Sequence, residues 1–158
     1  MNKILKIILL VALGAFVLMQ FIRPEKNESG YESVAFFEAE TKPSVEMAAL
    51  LKTHCYDCHS DHTIYPWYAE IAPASYWLKD HIDNGKKHFN VSAWESYSAK
   101  KKDHKLDELI EFVEDGEMPL DSYTWLHGEL PKEDADKLIQ WVQVLRLRYQ
   151  KEISELAK

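Results

Sequence analysis

Cysteine is almost absent from this 158-residue chain: there are two, Cys55 and Cys58. No disulfide framework is available beyond that pair, and none at all if the two thiols are otherwise used. Strand–helix alternation is missing as well, which removes the βαβ setting that a thioredoxin-type CxxC needs. Positive charge is scarce outside the N-terminus. Residues 1–23 hold Lys3, Lys6 and Arg23 and no acid, so the rest carries 16 basic residues against 26 acidic ones. An acidic domain argues against nucleic acid and favours encounter with a basic partner surface.

Long apolar runs are absent with one exception. From Ile4 to Ile22 only Lys6 and Gln20 are polar. Nineteen helical positions would reach about 28 Å, close to the hydrocarbon thickness of a bilayer. The one small-residue site, Ala12-Leu13-Gly14-Ala15, lies inside the run rather than after it. Residues 1–23 therefore predict an uncleaved signal anchor, a transmembrane helix whose basic end stays cytoplasmic. The remainder is expected at the outer, periplasmic face of the cytoplasmic membrane. No Cys follows the run, so a lipoprotein is excluded. Residues 24–43 are turn-rich and polar at their start and read as a linker. Residues 44–158 read as the folded domain.

Within that domain stands Cys55-Tyr56-Asp57-Cys58-His59, the C-x-x-C-H pattern of c-type haem attachment. Two thiols must reach the two vinyl groups of one porphyrin, and the next side chain must fall beneath the iron. Cys55 and Cys58 would form the thioethers and His59 the proximal ligand. The competing reading is a zinc site built from Cys55, Cys58, His62 and His54, since Cys58 to His62 is a permitted ligand spacing. The His directly after the second Cys is specified by the haem motif and not by zinc, so haem is the preferred cofactor, one per chain and covalent.

Helical signals dominate the rest, and the fold class is all-α. Ser44 predicts a helix to about His54, carrying Met47 in its core face. Ala74 to Asn84 predicts a second helix, with Pro73 at its start and Gly85 just past its end. Ser92-Ala93-Trp94-Glu95 has the form of a capping box. Lys100-Lys101-Lys102 reads as a solvated break, with Asp103 capping the next helix. There Leu106, Leu109, Ile110 and Val113 follow helical spacing up to Gly116. Asp121 to Leu130 reads as a loop. Pro131 opens the last and longest helix, to about Leu156.

Gly116-Glu117-Met118-Pro119 is the second informative stretch. Met118 leaves a helix end into a segment stiffened by Pro119. A thioether is a suitable sixth ligand for low-spin haem iron, and His/Met ligation raises the reduction potential. Met118 is the favoured distal ligand. His81, on a helix face, and His127, in an aromatic loop, are the alternatives; a hydrogen bond to a haem propionate is the expected role of His127.

Taken in order, Cys55-Tyr56-Asp57-Cys58-His59-Ser60, Tyr65-Pro66-Trp67-Tyr68, Ala72-Pro73, Asn90-Val91-Ser92-Ala93-Trp94 and Gly116-Glu117-Met118-Pro119 with Tyr123 and His127 resemble a known pattern. It is that of the haem-binding domain family of bacterial, membrane-anchored, single-haem c-type cytochromes. The likeness covers roughly residues 24 to 145. It implies a small cytochrome-c-like helical haem domain behind an N-terminal membrane helix, with Cys55, Cys58 and His59 as the attachment set. Two positions depart from the pattern: Leu120 and Gly128 stand where proline is expected.

These readings converge on an electron carrier rather than an enzyme, exchanging electrons with redox partner proteins of a respiratory chain. The alternative is a labile distal site serving a peroxidase or a gas sensor, in which His81 or His127 would supply acid–base chemistry.

Overall fold

The structure is a computed structural model and describes residues 2–158. It is all-α. Among the described residues there is no β-strand, only an isolated antiparallel bridge between Glu28 and His62. Eight α-helices follow in chain order: α1 (Lys3–Met19), α2 (Ala35–Thr41), α3 (Val45–His54), α4 (Tyr56–His59), α5 (Ala74–His88), α6 (Ala99–Glu114), α7 (Asp121–His127) and α8 (Lys132–Leu156). Short 3₁₀ turns occupy Tyr31–Val34, Trp67–Glu70 and Val91–Ser96.

The apolar N-terminal run forms α1, but the helix stops at Met19 rather than continuing to Ile22. Gln20 ends it. Its side-chain amide donates to Phe16 O and to Ala72 O, and its Oε1 accepts from Ala72 N. Among the described residues no helix is long and apolar enough to cross a membrane. The expected transmembrane span is thus corrected to a shorter apolar helix of 17 residues. It buries no residue of its own.

The segment read as a linker is part of the folded body. Ser29 N donates to Asp61 O and Thr63 N to Asn27 O, which pins residues 27–29 beside the stretch after the CxxCH motif. Asn27 Nδ2 donates to Ser60 O and Thr63 Oγ1, and Lys86 Nζ donates to Asn27 Oδ1. The helix α2 then places Phe37 in the core, edge-on to Trp94 with ring centroids 5.2 Å apart. No element was expected here, because the aromatic pair Phe36-Phe37 gives no periodicity on its own.

The core is one cluster. Val34 and Phe37, Met47 and Leu51 of α3, Tyr56 of α4, the Phe89–Trp94 stretch, Leu106 and Ile110 of α6, and Leu138, Val142, Leu145 and Tyr149 of α8 are all buried together. The stripe on α8 is the one the i, i+4, i+7 spacing predicts. It packs along α6, with Arg146 reaching Asp103 at 2.9 Å and also pairing with Asp107. Trp94 is completely buried, and its Nε1–H finds an acceptor in the Tyr149 hydroxyl at 3.2 Å, as a buried indole requires.

Four local expectations change. The capping box at Ser92 is not formed; Asn90 instead accepts from Ser92 N and opens a 3₁₀ turn. The helix α6 begins at Ala99, capped by Ser98 accepting from Lys101 N, so the lysine run lies inside it. Lys102 is buried there and bound to both oxygens of Glu40, at 2.8 and 2.9 Å. The helix α5 runs on through Gly85 to His88, and Asp121–His127 is helical rather than a loop.

Candidate functional site

The motif helix α4 is delivered by α3, whose N-cap Ser44 accepts from Met47 N at 3.2 Å and whose Met47 and Leu51 anchor it in the core. The chain then turns directly into Tyr56–His59. Tyr56 is buried in the core, while Cys55, Cys58 and His59 line a cavity of about 360 Å³. Further lining comes from α6 through Leu109, Phe112 and Val113, and from Met118, Pro119 and Leu120 just beyond it. Leu138 of α8 and Tyr123 of α7 complete the enclosure.

The two thiols are free. Burial pushes both up to about 12, with the charges of Cys58 on Cys55, and of Asp57 on Cys58, adding to it. Neither is therefore a thiolate at neutral pH in the polypeptide alone. A tetrahedral zinc site needs two further ligands beside the thiols. Among the described residues no group of three or more His, Cys, Asp or Glu side chains is placed to hold a metal ion. His62 does not line the cavity; its ring meets Tyr31 edge-on. The zinc alternative loses its geometry.

His59 is set up differently. Its Nδ1 sits 2.8 Å from Phe89 O and 3.1 Å from Gly85 O. Two carbonyl acceptors fix the proton on Nδ1 and leave the lone pair on Nε2, the arrangement a metal-ligating imidazole requires. Burial lowers the pKa of the ring, although the two carbonyls oppose this, so the neutral form is favoured. Gly85 makes the contact possible. A Cβ at that position would lie 2.7 Å from Cys58 O, and the atom is backbone, with no room to give. This residue was read as a helix stop; its function is to let α5 lie against the motif.

Met118 lines the same cavity as the motif residues. Its N–H and that of Glu117 both donate to Phe112 O, at 3.0 and 2.9 Å, which folds the segment back onto the end of α6. Tyr123 holds the following segment to the motif side. Its hydroxyl lies 2.7 Å from Thr53 O and 2.9 Å from Asp57 Oδ2. Burial and the Asp57 carboxylate raise its pKa, so it stays a donor. Asp57 is in turn held by Ile64 N on its other oxygen.

The rival histidines separate. His81 lines the cavity; its Nδ1 is bound to Trp77 O at 2.8 Å, which leaves Nε2 free as in His59, and its ring lies against Trp77. His127 does not line it; the ring stacks flat on Tyr123, 4.0 Å between centroids. His54 emerges instead. It lines the cavity with a buried Nδ1 that has no partner in the polypeptide, and burial lowers its pKa. A buried unpaired polar atom costs stability unless something completes it. The sequence offered only its position before Cys55 as a signal.

The haem-binding domain family profile matches residues 14–144, most of the chain. The chain belongs to the haem-binding domain family. No curated protein and no solved structure is similar to it. The residues present fit a haem: an apolar cavity, a tautomer-fixed imidazole, two adjoining thiols and an orphaned buried nitrogen at its edge. The all-α fold and haem binding agree with the reading of the sequence.

Proposed function

We propose that this haem-binding protein is a single-haem c-type cytochrome that carries electrons, with the haem bound covalently through Cys55 and Cys58. The observation that carries the reading is that His59 and Met118, from separate parts of the chain, line one cavity with both thiols. A bound haem would supply one-electron Fe(II)/Fe(III) chemistry. His59 would offer Nε2 as the proximal ligand and Met118 its thioether as the distal one. With both positions filled by protein there is no place for a substrate, which is why electron transfer is preferred to peroxidase or sensor activity. His54 Nδ1 is the side-chain group at the cavity left to complete a polar contact with the haem.

Residues of α1 expose apolar side chains on every side. A helix apolar all round needs apolar surroundings. We read α1 as the membrane attachment, with the acidic domain outside the cytoplasmic membrane meeting a respiratory redox partner.

The test is optical. The full chain, matured in a host that attaches c-type haem, is compared with Met118→Ala. His/Met ligation predicts a weak long-wavelength ferric band that vanishes in the variant, and reduced wild-type protein that binds CO slowly while the variant binds it rapidly. Rapid CO binding by the wild type, or a spectrum indifferent to Met118, would move the function to an open-site peroxidase or sensor.

A further inference from the structure

The end of α1 is not a free tether. Gln20 is bound to both the N–H and the C=O of Ala72, at 3.0 and 3.2 Å. The Tyr76 hydroxyl donates to Ile22 O. Arg23 and Lys26 both pair with Glu70. These contacts join the last turn of the apolar helix to one short stretch of the domain, residues 66–77.

That stretch shows a consistent chemistry. Trp67 is 78% exposed, and Ile71, Tyr76 and Trp77 are also exposed. Ile64 adds to the same surface. Arg23 and Lys26, at the helix exit, are held to this stretch through Glu70. Tryptophan and tyrosine collect at the level of lipid headgroups, where an amphipathic ring meets both water and hydrocarbon.

We propose that residues 64–77 form a lipid-contacting face, so that the domain lies down on the bilayer in one orientation instead of swinging from its helix. The inference rests on the reading of α1 as the membrane attachment. The occupant is the phospholipid surface because the patch adjoins the end of a helix that, among the described residues, buries none of its side chains and exposes apolar ones along its length.

The test places a photo-crosslinking benzoylphenylalanine at Leu10, Trp67 or Leu147, one position at a time. The full chain is reconstituted in vesicles of phosphatidylethanolamine and phosphatidylglycerol. Leu147 is an exposed apolar control on α8. Far-UV circular dichroism confirms that each variant keeps its helix content, and mass spectrometry reads the adducts. Lipid adducts at positions 10 and 67, each several-fold above position 147, are the expected result. Lipid at 10 with none at 67, equal yields at 67 and 147, or a chain–chain adduct at 67 would overturn the lipid face and leave the attachment standing. No lipid at 10 would overturn the attachment and the face together.

Discussion

Replacing Gly85 by alanine separates the account of the site from an ordinary view of helices. In the interior of a solvated helix, Gly→Ala gains about 0.8–1 kcal/mol. At Gly85 the new Cβ would meet Cys58 O at 2.7 Å and Cys58 Cβ at 3.3 Å. A normal carbon–oxygen contact is about 3.3 Å, so α5 must back away by about 0.6 Å. The His59 Nδ1–Gly85 O contact, now 3.1 Å, would open to about 3.7 Å, beyond hydrogen bonding. Overpacking costs about 1–3 kcal/mol and the weakened bond about 0.5–1.5 kcal/mol. Set against the helix gain, the net loss is about 1–3 kcal/mol. For a chain of this size that lowers Tm by roughly 3–10 °C. The assay is thermal unfolding of the full-length chain in detergent, followed by far-UV circular dichroism. A Gly85→Ala protein as stable as the wild type, or more so, would refute the close approach of α5 to the motif.

Two further perturbations test separate contacts. Tyr123→Phe removes the donor that bridges Thr53 O and Asp57 Oδ2, a loss of about 1–3 kcal/mol when a charged acceptor is involved; it should speed CO binding to the reduced protein by loosening the segment after Met118, and an unchanged rate would sever Tyr123 from the distal side. Burial raises the pKa of Glu40, but the bonds from Lys102 and Tyr149 outweigh it and hold the carboxyl below its ordinary 4.5. A depressed carboxylate pKa stabilises the fold above the unfolded value and that stability fades as pH falls through the folded one. Urea titrations should therefore show wild type losing stability below about pH 4.5 more steeply than Glu40→Gln; parallel curves would show that the pair with Lys102 does not drive acid unfolding.

The residues that line the candidate site were largely legible in the sequence because most of them are contiguous. CxxCH places three cavity-lining side chains within five residues, and Met118-Pro119 announces itself as an isolated methionine at a helix end. The all-α class followed from helical spacing, most clearly in the Leu138, Val142, Leu145 and Tyr149 stripe. What was not legible depends on distant partners. Gly85 has the same local look as a helix stop, and only Cys58 across the packing explains it. The basic residues Lys86, Lys87 and His88, favourable at a helix C-terminus, were a signal that α5 continues. Lys102 looks solvated within its lysine run, yet it lies four residues before Leu106 on the buried stripe and is neutralised by Glu40, 62 residues away. The segment 24–43 looked like a tether because Asn27 and Ser29 bond forward onto the stretch after the motif, a partner no local pattern reveals. The apolar N-terminal run was read as longer than its helix because Gln20 serves the domain instead of the helix.

Covalent haem attachment is read from the mass of the chain after export in a host that matures c-type haem, taken before and after acid–acetone extraction. Covalent attachment gives the polypeptide plus one haem, unaffected by extraction, and loss of that added mass in Cys55→Ala/Cys58→Ala. A bare polypeptide mass, or haem that leaves with the solvent, would contradict covalent attachment at Cys55 and Cys58.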